Sequence, residues 1–150
     1  MESSTASGIA IRPVNEMDAD DIVHIDEKIS GKYRPGHWEN QITYYIQRDT
    51  ELALVAETEG EVVGFMFGDL RGWEFGFENP VGWVEVIGVH PDHRKKNIGR
   101  SLAERLFKAF KDRGAAKVLT LVDSNHEGIA NFMKTLGLAA STITVYSTDL

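Results

Sequence analysis

Residues 83–113 limit the folds open to this chain more than any other stretch. Trp83-Val84-Glu85-Val86-Ile87-Gly88-Val89 reads as a β-branched, aromatic strand, and His90-Pro91 ends it. After a polar turn, residues 99–113 place Leu102, Ala103, Leu106, Phe107 and Phe110 on one stripe, and Gly114 stops the run. A strand that turns directly into a helix with a single apolar stripe predicts a sheet with that helix packed across it. The alternation continues on both sides. Strands are expected at 9–13, 52–57, 62–68, 117–123 and 142–148, with Glu59-Gly60 turning the second into the third. Helices are expected at 18–29 and 38–48. Another follows Ser124, where Ser124-Asn125-His126-Glu127 fits a capping box and Ile129, Phe132, Met133 and Leu136 form a stripe. The strand 117–123 is nearly all apolar in its middle, the pattern of a covered interior strand.

The order β-α-α-β-β-β-α-β-α-β predicts an α/β or α+β sheet with helices over it. At 150 residues and 42% hydrophobic, the chain suits one domain over 9–150, preceded by a flexible tail at 1–8. That tail lacks the basic and apolar regions of a signal peptide, and no apolar run is long enough to cross a bilayer. A soluble, cytoplasmic protein is expected. The absence of cysteine excludes disulfides, thiolate metal sites and a Cys nucleophile.

Net charge is −7, which does not recommend a nucleic-acid partner, but its distribution is uneven. Residues 90–113 hold eight of the sixteen Lys and Arg against three acids, so this stretch carries +5 and the rest −12. Lys108, Lys111 and Arg113 suit a solvated helix face. Arg94, Lys95 and Lys96 instead sit in the turn ahead of a helix. Unpaired N–H groups and a positive dipole end, with three cations added, make a diphosphate site. The turn is neither a Walker loop nor a Gly-x-Gly-x-x-Gly dinucleotide turn. His90 and His93 have the spacing of a metal pair, but no third ligand stands nearby, so no metal is expected.

The turn resembles the acetyl-CoA-binding segment of the GCN5-related N-acetyltransferases (GNAT), whose pattern is Arg/Gln-x-x-Gly-x-Gly/Ala. Here it stands as Arg94-x-x-Asn97-x-Gly99 behind Val89-His90-Pro91, and Asn97 tolerates the left-handed backbone that the usual Gly supplies. The order of elements around it is similar across nearly the whole chain. The resemblance implies a mixed, mostly antiparallel central sheet flanked by about four helices and splayed at its fourth and fifth strands. It implies acetyl-CoA as cosubstrate. Ile87, Gly88 and Val89 would offer backbone to the pantetheine arm. Arg94 and the segment Lys95, Lys96, Asn97, Ile98, Gly99 and Arg100 would wrap the pyrophosphate, mainly through main-chain N–H groups. Asn125, or equally His126, would touch the cofactor arm, and Phe132 would pack beside it.

The implied reaction is direct acyl transfer from a thioester to an amine. Glu85, set between Val84 and Val86, is the candidate general base, and its alternative is a pair with a nearby Arg. The Val89 N–H is the candidate donor to the thioester carbonyl. Relatives commonly place a Tyr, as acid for the thiolate, where this chain has Met133, which suits core packing. Water or Tyr146 would have to stand in. Trp73, Phe75, Phe77 and Trp83 with Glu74 and Glu78, and Tyr33, His37, Trp38, Tyr44 and Tyr45, are candidate walls for an amine acceptor, a small molecule or a peptide. A non-catalytic acyl-CoA-binding module and a nucleotide-binding protein unrelated to CoA are the alternatives. The terminal strand suits pairing across a homodimer.

Overall fold

The computed structural model describes residues 3–4, 8–72 and 76–150. Strands β1 (Ser3–Ser4), β2 (Ala10–Pro13), β3 (Ala53–Thr58), β4 (Glu61–Arg71), β5 (Val81–Val89) and β6 (Lys117–Thr120) lie side by side in chain order. Neighbours run antiparallel except β5 and β6, which are parallel. Helices α1 (Ala19–Ser30), α2 (Pro35–Ile46), α3 (Ile98–Asp112) and α4 (Glu127–Thr135) complete the fold. This is the expected mixed, mostly antiparallel sheet with four helices. Glu59 and Gly60 both take positive φ, 50° and 78°, which gives the tight two-residue link whose twist matches its flanking strands.

Strand alternation divides the core in two. On one face Leu54, Ala56, Met66 and Val84 meet Leu102, Leu106 and Phe110 of α3. On the other, Val55, Phe65 and Phe67 meet Ile22 and Ile25 of α1 and Trp38, Ile42 and Tyr45 of α2. With both faces covered, residues 62–69 of β4 are buried without interruption.

The expected splay falls between β5 and β6, because the dipeptide β1 moves the count by one. Pairing runs from Val81 opposite Lys117 to Val84 opposite Thr120 and stops there. Residues 85–89 continue past the end of β6, and the gap so opened is the feature that positions the site.

Five expectations need correction. Ser3–Ser4, read as loose tail, pairs with Ala10 and Ile11. The strand at 117–123 ends at Thr120 and is a half-exposed edge, not an interior strand. The capping box at Ser124 does not form: α4 begins at Glu127 behind His126 with no side-chain cap, and the Asn125 amide donates instead to Asp123 Oδ1 at 2.9 Å. Residues 142–148 form no strand and pair with none among the described residues. Arg113 also leaves the solvated face expected for it and pairs with Asp49 at 2.5 Å, tying the end of α3 to the segment before β3. No helix among the described residues is long and apolar enough to cross a membrane.

Candidate active site

Glu85 occupies an irregularity in the sheet. Phe67 lies opposite Val86 and Gly68 opposite Val84, so Glu85 is the extra residue of a β-bulge on β5. A bulge bends its strand and re-aims a side chain. The Glu85 side chain is 22% exposed and has two partners: Tyr45 Oη donates to Oε1 at 3.0 Å and Arg71 Nη2 to Oε2 at 2.5 Å. The Arg71 guanidinium lies 4.8 Å over the Trp83 ring. Burial first, and the neighbouring Glu85 charge second, push the Tyr45 phenol well above the usual tyrosine range, so it remains a donor. Glu85 is therefore a paired carboxylate rather than one isolated among apolar neighbours.

The ladder fixes where the Val89 amide points. His90 N donates to Val63 O at 2.8 Å, which makes Gly64 and Val89 a non-hydrogen-bonded pair. The N–H and C=O of Val89, and by alternation those of Ile87, face away from β4 toward the side that β6 has left. Gly88 is buried over Phe65, whose ring would stand 2.5 Å from any added Cβ.

The turn that follows is wound tightly. His90 Nδ1 accepts the Asp92 amide at 3.0 Å, and a single 3₁₀ turn spans Pro91–His93. Asn97 has φ 61°, the left-handed backbone expected of it, and Lys95 has φ 67°, which the sequence did not announce. No side chain caps α3. Its first internal bond runs from Ser101 N to Asn97 O at 2.9 Å, so the amides of Ile98, Gly99 and Arg100 have no acceptor within the helix. Arg94, Lys95 and Lys96 are exposed beside them and enter no ion pair among the described residues. Gly99 admits the close approach of Phe132, whose ring would stand 2.8 Å from an added Cβ. The Arg100 guanidinium donates from Nη2 to Thr135 O at 2.8 Å at the end of α4. Asn125 and His126 are both exposed at the start of α4.

A cavity of about 320 Å³ fills the splay. Glu85, Val86 and Ile87 line it from β5, Thr120 and Leu121 from the end of β6, and Ile129 and Met133 from α4. Asp26, Arg34 and Trp38 close it from α1 and α2. Met133 is 5% exposed, in keeping with a packing role, whereas Tyr146 is 94% exposed and stands outside the lining. Of the aromatic candidates, Trp38, Tyr45 and Trp83 are core, Tyr33 and Tyr44 are exposed, and Phe77 lies under the Lys117 ammonium at 4.7 Å. Trp73, Glu74 and Phe75 lie outside the described residues.

Sequence reasoning missed Asp26, Arg34 and Arg71. Asp26 left a trace, since it falls on the stripe Ile22, Ile25, Asp26, Ile29 where a charge needs a partner. Its partner is Arg34, with Nε to Oδ2 at 2.9 Å and Nη2 to Oδ1 at 2.6 Å. The guanidinium holds the Asp26 carboxyl below the usual carboxylate range. A depressed folded pKa gives stability that is present above the unfolded value of about 4 and fades as pH falls through the folded one. Arg34→Met is therefore expected to destabilise the fold at pH 7, by stranding a carboxylate in the half-buried pair, and to do so much less near pH 3. Urea unfolding at the two pH values checks this, and equal losses would disprove it.

The pattern of the acetyltransferase (GNAT) family matches residues 19–138. The chain is similar to a protein named acetyltransferase SG1711 from Sodalis glossinidius (strain morsitans), with 33% identity over 98 residues. That match covers 65% of this chain and 64% of the relative, so the chain spans just under two thirds of the length of such relatives. Two solved structures share the fold at a TM-score of 0.80. One is a transcriptional regulator from Bacillus halodurans C-125, 20% identical, with 94% of this chain and 99% of that one covered. The other is an aminoglycoside N-acetyltransferase in complex with CoA, 15% identical, with 94% of each chain covered.

Proposed function

The chain belongs to the acetyltransferase (GNAT) family, and on that premise we propose that it moves an acetyl group from acetyl-CoA directly to a primary amine. One observation carries the reading. An outward-facing Val89 amide, the Glu85 carboxylate and the uncapped start of α3 lie along one strand and the turn that follows it, beside a cavity in the splay. The residues suit CoA chemically: amides of Ile98, Gly99 and Arg100 with the cations Arg94, Lys95 and Lys96 for the pyrophosphate, and the Ile87 to Val89 backbone for the arm. Asn125 or His126 and Phe132 extend that surface from α4. The cavity is at the lower end of the range usual for small-molecule sites. Residues 9–150 act as a single domain in this reading.

Acetyl-CoA supplies the acetyl group already activated as a thioester. The chain then has three tasks. Glu85 takes a proton from the acceptor ammonium, directly or through water. The Val89 N–H donates to the thioester carbonyl oxygen as that oxygen gains charge. Met133, at the place of the usual Tyr, has no proton to give. The departing thiolate takes one from water, which a thiol of pKa about 8.5 tolerates.

Purified protein given acetyl-CoA and a panel of small amines, polyamines and peptides is expected to release free CoA with at least one of them. Met133 favours one competing reading, a module that binds acyl-CoA without turnover. Tight CoA binding with silence across the whole panel would establish that module and remove the transferase.

A further inference from the structure

The cavity in the splay is lined from both faces of the sheet. Phe65 and Val86 belong to the core under α1 and α2, and Val84 and Ile87 to the core under α3. With the acetylated arm entering from the turn before α3, the α1–α2 side is left for the amine. The Glu85 carboxylate looks to that side, since it accepts from Tyr45 of α2. The walls around it are apolar. Ile29 of α1, Leu121 beyond β6 and Ile129 of α4 are 47%, 69% and 42% exposed, and all three line this one cavity. Large apolar side chains left open around a carboxylate suit a ligand with one polar end and an apolar body.

Charge inside the cavity is matched. Among the described residues, Asp26, Arg34 and Glu85 are the charged members of the lining. Arg34 holds both oxygens of Asp26 through its Nε and Nη2, a fork that leaves the acid little free capacity. The Asp26 side chain is 9% exposed and that of Arg34 39%, so an entering group meets the cation more readily than the acid. Glu85 has Arg71 as its cation, yet Tyr45 and Arg71 take only part of the roughly four lone-pair sites of a carboxylate. It can still accept from one ammonium. A second ammonium on the same ligand would find no unmatched acid, and would lie against Ile29, Leu121 or Ile129 at the cost of its own desolvation.

We propose that the acceptor is a small primary amine with one positive charge and an apolar body, and that Arg34 enforces the limit of one charge by keeping Asp26 occupied. The assignment rests on the transferase reading for the amine itself, and adds to it a substrate class and a residue that determines specificity. Arg34 takes no part in proton transfer here. It acts by removing a second anionic subsite from the wall that faces the acceptor. Polyamines and aminoglycosides carry several ammonium groups and are therefore poor acceptors.

Pentylamine and putrescine test this, because they have equal length and differ only in ending on a methyl or on a second ammonium. Each is titrated by calorimetry into the protein with CoA present, and each is given with acetyl-CoA in the turnover assay. Pentylamine is expected to bind at least about tenfold more tightly, and to show a kcat/KM higher by a similar factor, because an unpaired charge is disfavoured at an apolar wall. Arg34→Met frees Asp26, and putrescine affinity is expected to rise about tenfold, the strength of one charge-assisted hydrogen bond. Asp26→Asn with Arg34→Met removes acid and cation together, and is expected to restore the preference for pentylamine. Ile129→Glu places a new acid at an exposed site on α4, and is expected to raise putrescine affinity without disturbing the circular dichroism. Equal binding of the two amines or binding of neither would overturn the proposal. So would a folded Arg34→Met that keeps the preference, or an Ile129→Glu that leaves putrescine affinity unchanged. Preferential binding of pentylamine with no release of CoA would uphold the cavity's selectivity and remove the transferase. Equal turnover of both amines would do the reverse.

Discussion

Glu85→Gln is expected to lower kcat/KM for the amine by about 10²–10⁴-fold, the usual worth of a positioned general base. At about 1.4 kcal/mol per decade this is a barrier increase of roughly 3–5 kcal/mol. The substitution is chosen to isolate proton acceptance. Gln keeps the shape of Glu and an oxygen for the Tyr45 hydroxyl, but it cannot take a proton from an ammonium. The loss should fall on kcat and kcat/KM together, while acetyl-CoA affinity by calorimetry stays within a few-fold, because the proposed pyrophosphate site on the turn before α3 is untouched. Arg71→Met provides the contrast. It removes the cation from Glu85 but leaves the carboxylate, so an effect of about tenfold or less is expected. If both variants lose activity equally, the Arg71–Glu85 pair is a structural strut and the base lies elsewhere.

The parts of this site that were legible in the sequence are those written in local backbone chemistry. The strand ending at Val89, the Pro91 turn, the left-handed Asn97 and the start of α3 depend on residues within a few positions of one another, and they stand where local preference puts them. The bulge at Glu85 is different, because it exists only in the register of β5 against β4. Arg71, fourteen residues from Glu85, and Tyr45, forty away, reach it through the fold. Arg34 meets Asp26 across the α1–α2 connection in the same way. Residues 117–123 and 142–148 misled for a second reason. An apolar or alternating run records a preference for strand, not whether a neighbouring strand pairs with it.

Phe110→Ala is expected to cost about 3–5 kcal/mol of folding stability, a large share of the 5–15 kcal/mol typical of a domain. The ring is 1% exposed and lies against two glycines on neighbouring strands. A Cβ on Gly82 would stand 2.4 Å from its Cδ2, and one on Gly68 would stand 2.7 Å from its Cζ. The glycines form a flat seat in the sheet, and the ring fills it from α3. Truncation leaves a void the backbone cannot close, and it loosens the helix whose first turn carries the proposed pyrophosphate site. Urea unfolding should show a lower midpoint with an unchanged slope. Gly82→Ala attacks the same contact from the other side, adding a methyl where the ring already sits, and is expected to cost about 1–3 kcal/mol. Because the two residues compete for one volume, Phe110→Ala with Gly82→Ala should cost less than the two separate losses combined. Strict additivity in that cycle would mean that the ring does not rest on the glycine, and that α3 is held by the rest of its stripe.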